Sequence, residues 1–123
     1  MASIIVASGS GTGNFYPLGH RTNVIGRDEA VPIQIIDEHV SRKHLQIRYD
    51  KEKDQYLALD MKSRHGVFIN GNRIQHEVPL ADDDRIDVGN VTLLFTTREF
   101  SDRASALDYY KKAGERARRT LLE

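Results

Sequence analysis

The chain has 123 residues, which is enough for one domain with a buried core, and its lack of cysteine excludes disulfides and cysteine-ligated zinc. Its 18 basic and 18 acidic residues balance, so overall attraction to nucleic acid or to a membrane is not expected, and any anion binding must be local. No apolar run approaches the roughly 20 residues of a membrane span, and no secretory signal pattern is visible, so we expect a cytoplasmic protein.

The first half of the chain is predicted to form short strands separated by turns. Its apolar runs are four or five residues long, and the last of them alternates apolar and polar side chains as a half-buried strand does. The glycine-rich run 8–14 lacks both the Gly-Lys-Ser/Thr sequence and the following helical pattern of a phosphate-binding loop, so we predict a hairpin connection there. The predicted strands are 4–7, 15–18, 23–27, 33–36 and 45–49.

The second half continues the same pattern up to about residue 97. An all-charged turn at 50–54 and the Asn70-Gly71 pair, a strong hairpin signal, separate further short strands. Many short strands at close spacing indicate an all-β fold, an antiparallel sandwich or barrel. The predicted strands are 56–61, 67–69, 85–88 and 91–96.

The last stretch, 101–123, differs because it has no proline and consists mostly of good helix formers. Its alanines and two tyrosines fall on one helical face and most of its charges on the other, so we predict one C-terminal amphipathic α-helix after a β-domain spanning 1–100. A short isolated helix is marginal in water, so this one packs on its own domain or on a partner, as a monomer or a helix-mediated homodimer. The apolar face comprises Ala106, Tyr109, Tyr110, Ala113, Ala117 and Leu121.

Three predicted loops carry groups that suit an oxyanion. Arg27 lies in the first, Ser41 and Arg42 in the second, and Arg64 in the third. Guanidinium groups donate to phosphate in a planar fork, and a serine hydroxyl is a small additional donor. Loops at one end of a sandwich cluster in space, which would bring these groups together. The alternative is three unrelated surface loops.

Ser41 and His44 also admit a hydrolase hypothesis, which the sequence argues against. In extended chain an odd separation points two side chains to opposite faces, and no glycine elbow surrounds Ser41. The five histidines lack the spacing of metal ligands. We therefore expect no catalytic activity, no metal and no cofactor.

An ordered set of motifs resembles the forkhead-associated (FHA) domain over roughly residues 3–97. The set consists of Gly26-Arg27, the run 41–44 (Ser-Arg-Lys-His), the loop 60–66 and Asn70-Gly71. The resemblance implies a two-sheet antiparallel β-sandwich of the SMAD/FHA type. It also implies a non-catalytic module of intracellular signalling that binds phosphothreonine peptides through loops at one end. The implied partner is a phosphothreonine-containing protein, the substrate of a Ser/Thr kinase.

The resemblance also implies roles for individual residues, carried over by position. His44 would brace the loop that presents Ser41, and Asn70 would support the site from the far side of its short strand. The implied phosphate contacts are Arg27, Ser41, Arg42 and Arg64; the peptide-backbone or rim residues are Lys43, His65 and Asn70; the structural supports are Gly26, His44 and Gly66.

The sequence departs from the family pattern at four positions. His65 stands where the family has an asparagine that holds the peptide main chain, and Val67 replaces a threonine. Lys62 and Asp83 each replace a glycine. The change at His65 leaves an alternative open, namely an FHA-fold assembly domain that binds an unphosphorylated partner or self-associates through its C-terminal helix.

Overall fold

The computed structural model describes residues 2–98 and Asp108 of this chain. The predicted C-terminal helix lies outside the described residues, apart from Asp108, as does the predicted boundary near residue 100. Within the described part, no helix has the length and apolar character needed to cross a membrane. The strands of residues 2–98 are β1 (Ser3–Ser8), β2 (Phe15–Pro17), β3 (Asn23–Gly26), β4 (Ile33–Gln34), β5 (Leu45–Asp50), β6 (Gln55–Asp60), β7 (Val67–Ile69), β8 (Asn72–Arg73), β9 (Val78–Pro79), β10 (Arg85–Val88) and β11 (Val91–Thr96).

These strands form two sheets that enclose one core, which confirms the predicted β-sandwich. The six-stranded sheet has the order β2-β1-β11-β10-β7-β8, and the five-stranded sheet has the order β4-β3-β5-β6-β9. The hairpin predicted at the glycine-rich run joins β1 to β2, which pair antiparallel. The hairpin predicted at Asn70-Gly71 joins β7 to β8, and both turn residues have positive φ, as a two-residue turn of this kind requires.

The core follows from strict alternation along the central strands. On β5, Leu45 and Ile47 are buried in the core while Gln46 and Arg48 lie on the outer face. The inward-facing residues of the other sheet complete the core, including Leu93 and the large ring of Phe95 on β11. Because side chains repeat every two residues, a one-residue slip would turn this apolar set outward, which fixes the register.

One edge of the five-stranded sheet departs from the expected antiparallel pattern. Of the strand predicted at 33–36, only Ile33–Gln34 pairs, and it runs parallel to β3. Ile35 remains attached because its N–H donates to the carbonyl oxygen of Gly26 at 2.8 Å. The chain then turns away, and Ile36 is left 68% exposed.

The strands run between two opposite ends of the sandwich. One end carries the loop 61–66 and the turn 89–90; the other, here called the far end, carries the turns 51–54 and 81–84. A strand of six residues spans roughly 20 Å, so the ends are about that far apart. The described chain enters and leaves at the far end, where Ser3 pairs with Thr96.

Candidate functional site

A small open cleft of about 110 Å³ lies where the loops opposite the far end meet. It brings together Arg27, Ser41 and Arg64, the predicted phosphate-binding groups of three different loops, with His65 beside them. Residues 38–40 complete the lining. We call this region the cleft end.

At the end of β3, Gly26 and Arg27 pack against the loop that carries Ser41, and hydrogen bonds from Arg27 hold the two together. The N–H of Arg27 donates to the carbonyl oxygen of Ser41 at 3.0 Å, and its side-chain Nε donates to the carbonyl oxygen of Val40 at 3.0 Å. This contact fixes the guanidinium at the cleft, and within the described residues its two terminal nitrogens make no hydrogen bond. The loop passes so close to Gly26 that a Cβ there would overlap the carbonyl oxygen of Arg42 and lie 2.7 Å from its carbonyl carbon. Glycine is therefore required at this position.

His44 is completely buried and joins the two loops that flank the cleft. Its Nδ1 accepts a hydrogen bond from the backbone N–H of Ser41 at 3.0 Å, and its Nε2 lies 2.7 Å from the carbonyl oxygen of Gly66. Because the first partner is a donor and the second an acceptor, Nδ1 carries no proton and Nε2 carries one. Both ring nitrogens are thus used to hold Ser41 and Gly66 at a fixed separation.

The hydroxyl of Ser41 is oriented by the third loop. Its Oγ accepts a hydrogen bond from the backbone N–H of Arg64 at 3.1 Å, which leaves the hydroxyl proton available to a ligand. His44 contacts the backbone of Ser41 rather than its hydroxyl, so the two do not form the nucleophile–base pair of a hydrolase. Among residues 2–98 and Asp108, no group of three or more histidine or carboxylate side chains is placed to hold a metal ion.

The loop 61–66 owes its shape to local hydrogen bonds. The N–H of Ser63 donates to the carboxylate of Asp60 at 2.9 Å, and the N–H of Gly66 donates to the hydroxyl of Ser63 at 3.0 Å. Lys62 has φ of 57° and Gly66 has φ of 84°. Lys62 is one of the two positions where the family pattern has glycine, and the other, Asp83, has φ of 69°. Both replacements therefore adopt the left-handed conformation that glycine tolerates best.

Three cleft-end residues that the sequence reading did not assign form a second group. The carboxylate of Asp37 accepts hydrogen bonds from the N–H of His39 at 3.1 Å and from that of Asn90 at 3.2 Å. The side-chain Nδ2 of Asn90 lies 2.7 Å from Nδ1 of His39, whose ring meets the ring of His65 edge-on at a centroid distance of 5.0 Å. Burial raises the pKa of Asp37, but the hydrogen bonds from Asn90 and His39 outweigh it, and the pKa is lowered.

The remaining predicted site residues lie away from the cleft lining. Arg42 and Lys43 are exposed beyond Ser41 on the same loop, and only the backbone of Arg42 is anchored there, by the N–H of Asp28. Asn70 is at the far end, because β7 is three residues long and carries the chain across the sheet. Its side chain accepts from the N–H of Arg85 at 3.0 Å and donates to Asp84 at 2.9 Å, so it organises a far-end turn rather than the cleft.

Sequence comparison finds relatives of this chain. The chain is 34% identical over 92 residues to the FHA domain-containing protein FhaA of Mycobacterium tuberculosis, covering 75% of this chain and 17% of that protein. It is 31% identical over 94 residues to the oxoglutarate dehydrogenase inhibitor of Corynebacterium jeikeium, covering 76% of this chain and 63% of that protein. The chain thus spans less than two thirds of the length of either relative.

Structure comparison and a family model agree with these relatives. An FHA domain solved in an analysis of phosphothreonine-dependent FHA domain interactions superposes with a TM-score of 0.70 at 30% identity, covering 80% of this chain and 98% of that domain. The model of the FHA domain matches residues 23–89, which include Gly26, Arg27, the loop that presents Ser41 and the loop 61–66. The chain belongs to the FHA domain family.

Proposed function

We propose that this chain is a non-catalytic module that recognises phosphothreonine in a partner protein. The observation that carries the proposal is the convergence of Arg27, Ser41 and Arg64 on one cleft, with their backbones held by hydrogen bonds from neighbouring loops. The solved FHA domain of phosphothreonine-dependent interactions supports the same reading.

The chemistry of the cleft suits a phosphate dianion. A phosphate ester offers three acceptor oxygens, and charge-assisted hydrogen bonds from arginine are stronger than neutral ones. Arg27 supplies the terminal nitrogens of its fixed guanidinium, Ser41 supplies its hydroxyl proton, and Arg64 brings a second guanidinium from the opposite wall. Arg42 and Lys43 contribute positive charge near the rim, where screening by solvent makes each contact weaker.

A titration of phosphothreonine peptides tests the site assignment. A degenerate peptide library with a fixed phosphothreonine would be titrated against the wild-type chain and against Arg27→Ala, using fluorescence anisotropy. We expect the substitution to weaken binding by about 2 kcal/mol, a roughly 30-fold change in Kd, as for loss of a charge-assisted contact. The unphosphorylated library should not compete.

Arg85→Ala is the matched control because Arg85 is an exposed arginine at the far end, on the same fold but remote from the cleft. It should leave Kd unchanged. Equal losses in Arg27→Ala and Arg85→Ala would mean that binding is only a response to overall charge. Unchanged binding in Arg27→Ala would refute the assignment of the phosphate to this cleft.

A second function is favoured by one observation. His65, which stands where the family pattern has asparagine, has its ring packed against His39 at the cleft wall. An imidazole held there reaches the peptide main chain differently from an amide, so the cleft would serve an unphosphorylated partner or an assembly surface. If His65→Asn strengthens phosphopeptide binding, the first function is retained with weakened affinity. If unphosphorylated peptides bind the wild type as well as phosphorylated ones, the second function holds.

The partner is proposed to be a protein phosphorylated by a Ser/Thr kinase in the cytoplasm, with no cofactor and no reaction catalysed by this chain. Ser41→Ala should also weaken phosphopeptide binding. The loss of affinity should be smaller than for Arg27→Ala, because Ser41 contributes only a neutral hydroxyl.

A further inference from the structure

The outer face of the six-stranded sheet carries apolar side chains that are buried. Side chains alternate along a strand, and Ile4 and Val6 of β1 belong to the core between the sheets. Ile5 therefore points to the outer face, and so does its cross-strand partner Leu94. An outer face would ordinarily be wet, yet Ile5 is 0% exposed and Leu94 is 5% exposed.

Besides each other, the cross-strand neighbours of these two residues are Phe15 beside Ile5 and Arg85 beside Leu94. Ile5 lies between Leu94 and Phe15 in the pairing of β11, β1 and β2. The adjoining row of the outer face is formed by the small pair Ser3 and Thr96. Ser3 and Thr96 are themselves only 4% and 0% exposed, so the buried part of this face extends beyond Ile5 and Leu94.

The outer face of the five-stranded sheet can be compared with that of the six-stranded sheet. On the outer face of the five-stranded sheet, Val24 and Leu59 are only half-buried. Leu57 is buried there, and its cross-strand neighbour Arg48 is held down by a two-pronged contact with Glu77, at 2.7 Å for each nitrogen–oxygen pair. Arg48 is thus fixed over that face. Arg85, the arginine beside Leu94, is exposed and makes no side-chain ion pair within residues 2–98, so the face around Ile5 and Leu94 needs a separate covering layer.

The segment that follows β11 has the length and the pattern to supply this layer. After Arg98 the chain continues for 25 residues, and it leaves the described part directly from the strand that carries Leu94. The pattern predicts that its alanines and tyrosines share one face, and alanine allows a close approach to a flat sheet. Asp108, which the pattern places on the opposite charged face, is exposed.

We propose that segment 101–123 docks on the outer face of the six-stranded sheet of its own chain, with Tyr109 and Tyr110 over the patch formed by Ile5, Phe15 and Leu94. The sandwich thereby becomes a three-layer unit, which is a standard way to bury a sheet face. The docking face is on the side of the sandwich rather than at the cleft end, so the docked segment leaves the cleft open. This inference does not depend on the phosphothreonine function.

Methyl NMR of the full chain tests the proposal. Isoleucine and leucine methyl groups would be labelled in the wild type and in the double variant Tyr109→Ser/Tyr110→Ser. We expect the resonances of Ile5 and Leu94 to shift as the tyrosine rings are lost, while those of Ile4 and Leu93, which face the core, stay in place. We also expect Tm to fall by roughly 5 °C, since apolar contact area is lost without a cavity in the core.

The control is Lys111→Ser/Lys112→Ser, two substitutions on the opposite face of the same segment, which should change neither the resonances nor Tm. Unshifted Ile5 and Leu94 resonances in the tyrosine variant would overturn the proposal. Sedimentation decides between one chain and two. A wild type that is dimeric at the NMR concentration and becomes monomeric in the tyrosine variant would show that a second copy occupies the face, which would overturn docking within one chain.

Discussion

The cleft end and the far end of the sandwich are held together in different ways. At the cleft end, the closing contacts are hydrogen bonds to backbone groups, centred on buried His44 and on the close approach at Gly26. At the far end, rings close the structure: Tyr56 lies 5.7 Å from Phe95 and 5.2 Å from Tyr49. A cavity of about 400 Å³ also remains there, larger than the cleft itself.

This difference separates contacts that depend on residue identity from contacts that depend on volume. A hydrogen bond between a ring nitrogen and a chosen carbonyl group is lost by almost any substitution. An apolar contact around an open cavity tolerates several side chains of similar size. We therefore expect substitutions at the cleft end to cost more stability than comparable ones at the far end.

Gly26→Ala should give the largest effect. The new Cβ would overlap the carbonyl oxygen of Arg42, which is backbone and cannot rotate away, so β3 and the loop of Ser41 must separate. We expect a loss of about 3 kcal/mol or more in the free energy of unfolding, measured by urea denaturation, together with weaker phosphopeptide binding.

Gly71→Ala is the matched control for that experiment. Gly71 has positive φ, at 85°, whereas Gly26 does not, and a Cβ at Gly71 meets nothing within 4 Å. Only backbone strain is introduced, and a cost of about 1 kcal/mol is expected. Equal costs at the two glycines would mean that the close approach at Gly26 does not matter, and the comparison of the two ends would fail.

His44→Ala should come second. It removes two hydrogen bonds, leaves the N–H of Ser41 and the carbonyl of Gly66 without these partners, and opens a buried space. We expect a loss of about 3 kcal/mol in the free energy of unfolding. His65→Ala, a histidine exposed on the same wall, should change stability by less than about 0.5 kcal/mol. A small effect at His44 would show that the loops hold their separation without it.

Lys62→Gly should raise stability. Lys62 has φ of 57°, a conformation that costs a non-glycine residue about 1 kcal/mol, and the greater freedom of glycine in the unfolded chain offsets only part of that gain. A net increase of about 0.5 kcal/mol is expected in urea denaturation. Lys53→Gly, in the far-end turn at a position without positive φ, should lower stability by a similar amount. A gain in stability at both positions would show that backbone strain at Lys62 is not the cause.

The smallest effect is expected at Tyr49, and it should disappear at alkaline pH. The hydrogen bond from its hydroxyl to Asp54, at 2.6 Å, together with burial raises the pKa of Tyr49 to about 12. This folded-state pKa lies above the ordinary value near 10, so its contribution to stability is present below about pH 10 and is lost as the pH rises toward 12. Tyr49→Phe should therefore be slightly less stable than the wild type at neutral pH, and this difference should disappear as the pH rises toward 12. Ultraviolet titration of the phenol, with urea midpoints at each pH, measures both.

Much of the fold could be predicted because local pattern and tertiary structure agree. The alternation in Leu45–Asp50 and the Asn70-Gly71 turn each encode their own conformation, and the structure has them where the pattern puts them. The parallel pairing of β4 could not be predicted in this way. Only two residues pair, and they are held by their pairing with β3. A segment of two residues has no periodicity from which this pairing could be predicted.

The candidate site likewise has one part that the sequence predicts and another that it does not. The motifs around Arg27, Ser41 and Arg64 are each readable, and loops of a sandwich gather at its ends, so their meeting was foreseeable. The contact between His39 and Asn90 joins side chains 51 residues apart, both residues also donate a backbone N–H to the carboxylate of Asp37, and no local signal marks this group. An Asp two residues before His39 suggests a turn, which is all that the sequence offers there. The resemblance implied a supporting or rim role for Asn70, whereas its side chain holds a far-end turn through Arg85 and Asp84.

The pairing of Ser3 with Thr96 bears on how a domain of this shape can be inserted into another protein. Entry and exit lie side by side on neighbouring strands, at the end opposite the cleft. A unit with that geometry can be spliced as a cassette into a surface loop of another protein without stretching the host, because the host needs only two adjacent attachment points. In such an arrangement the cleft would lie at the end of the domain remote from both attachment points.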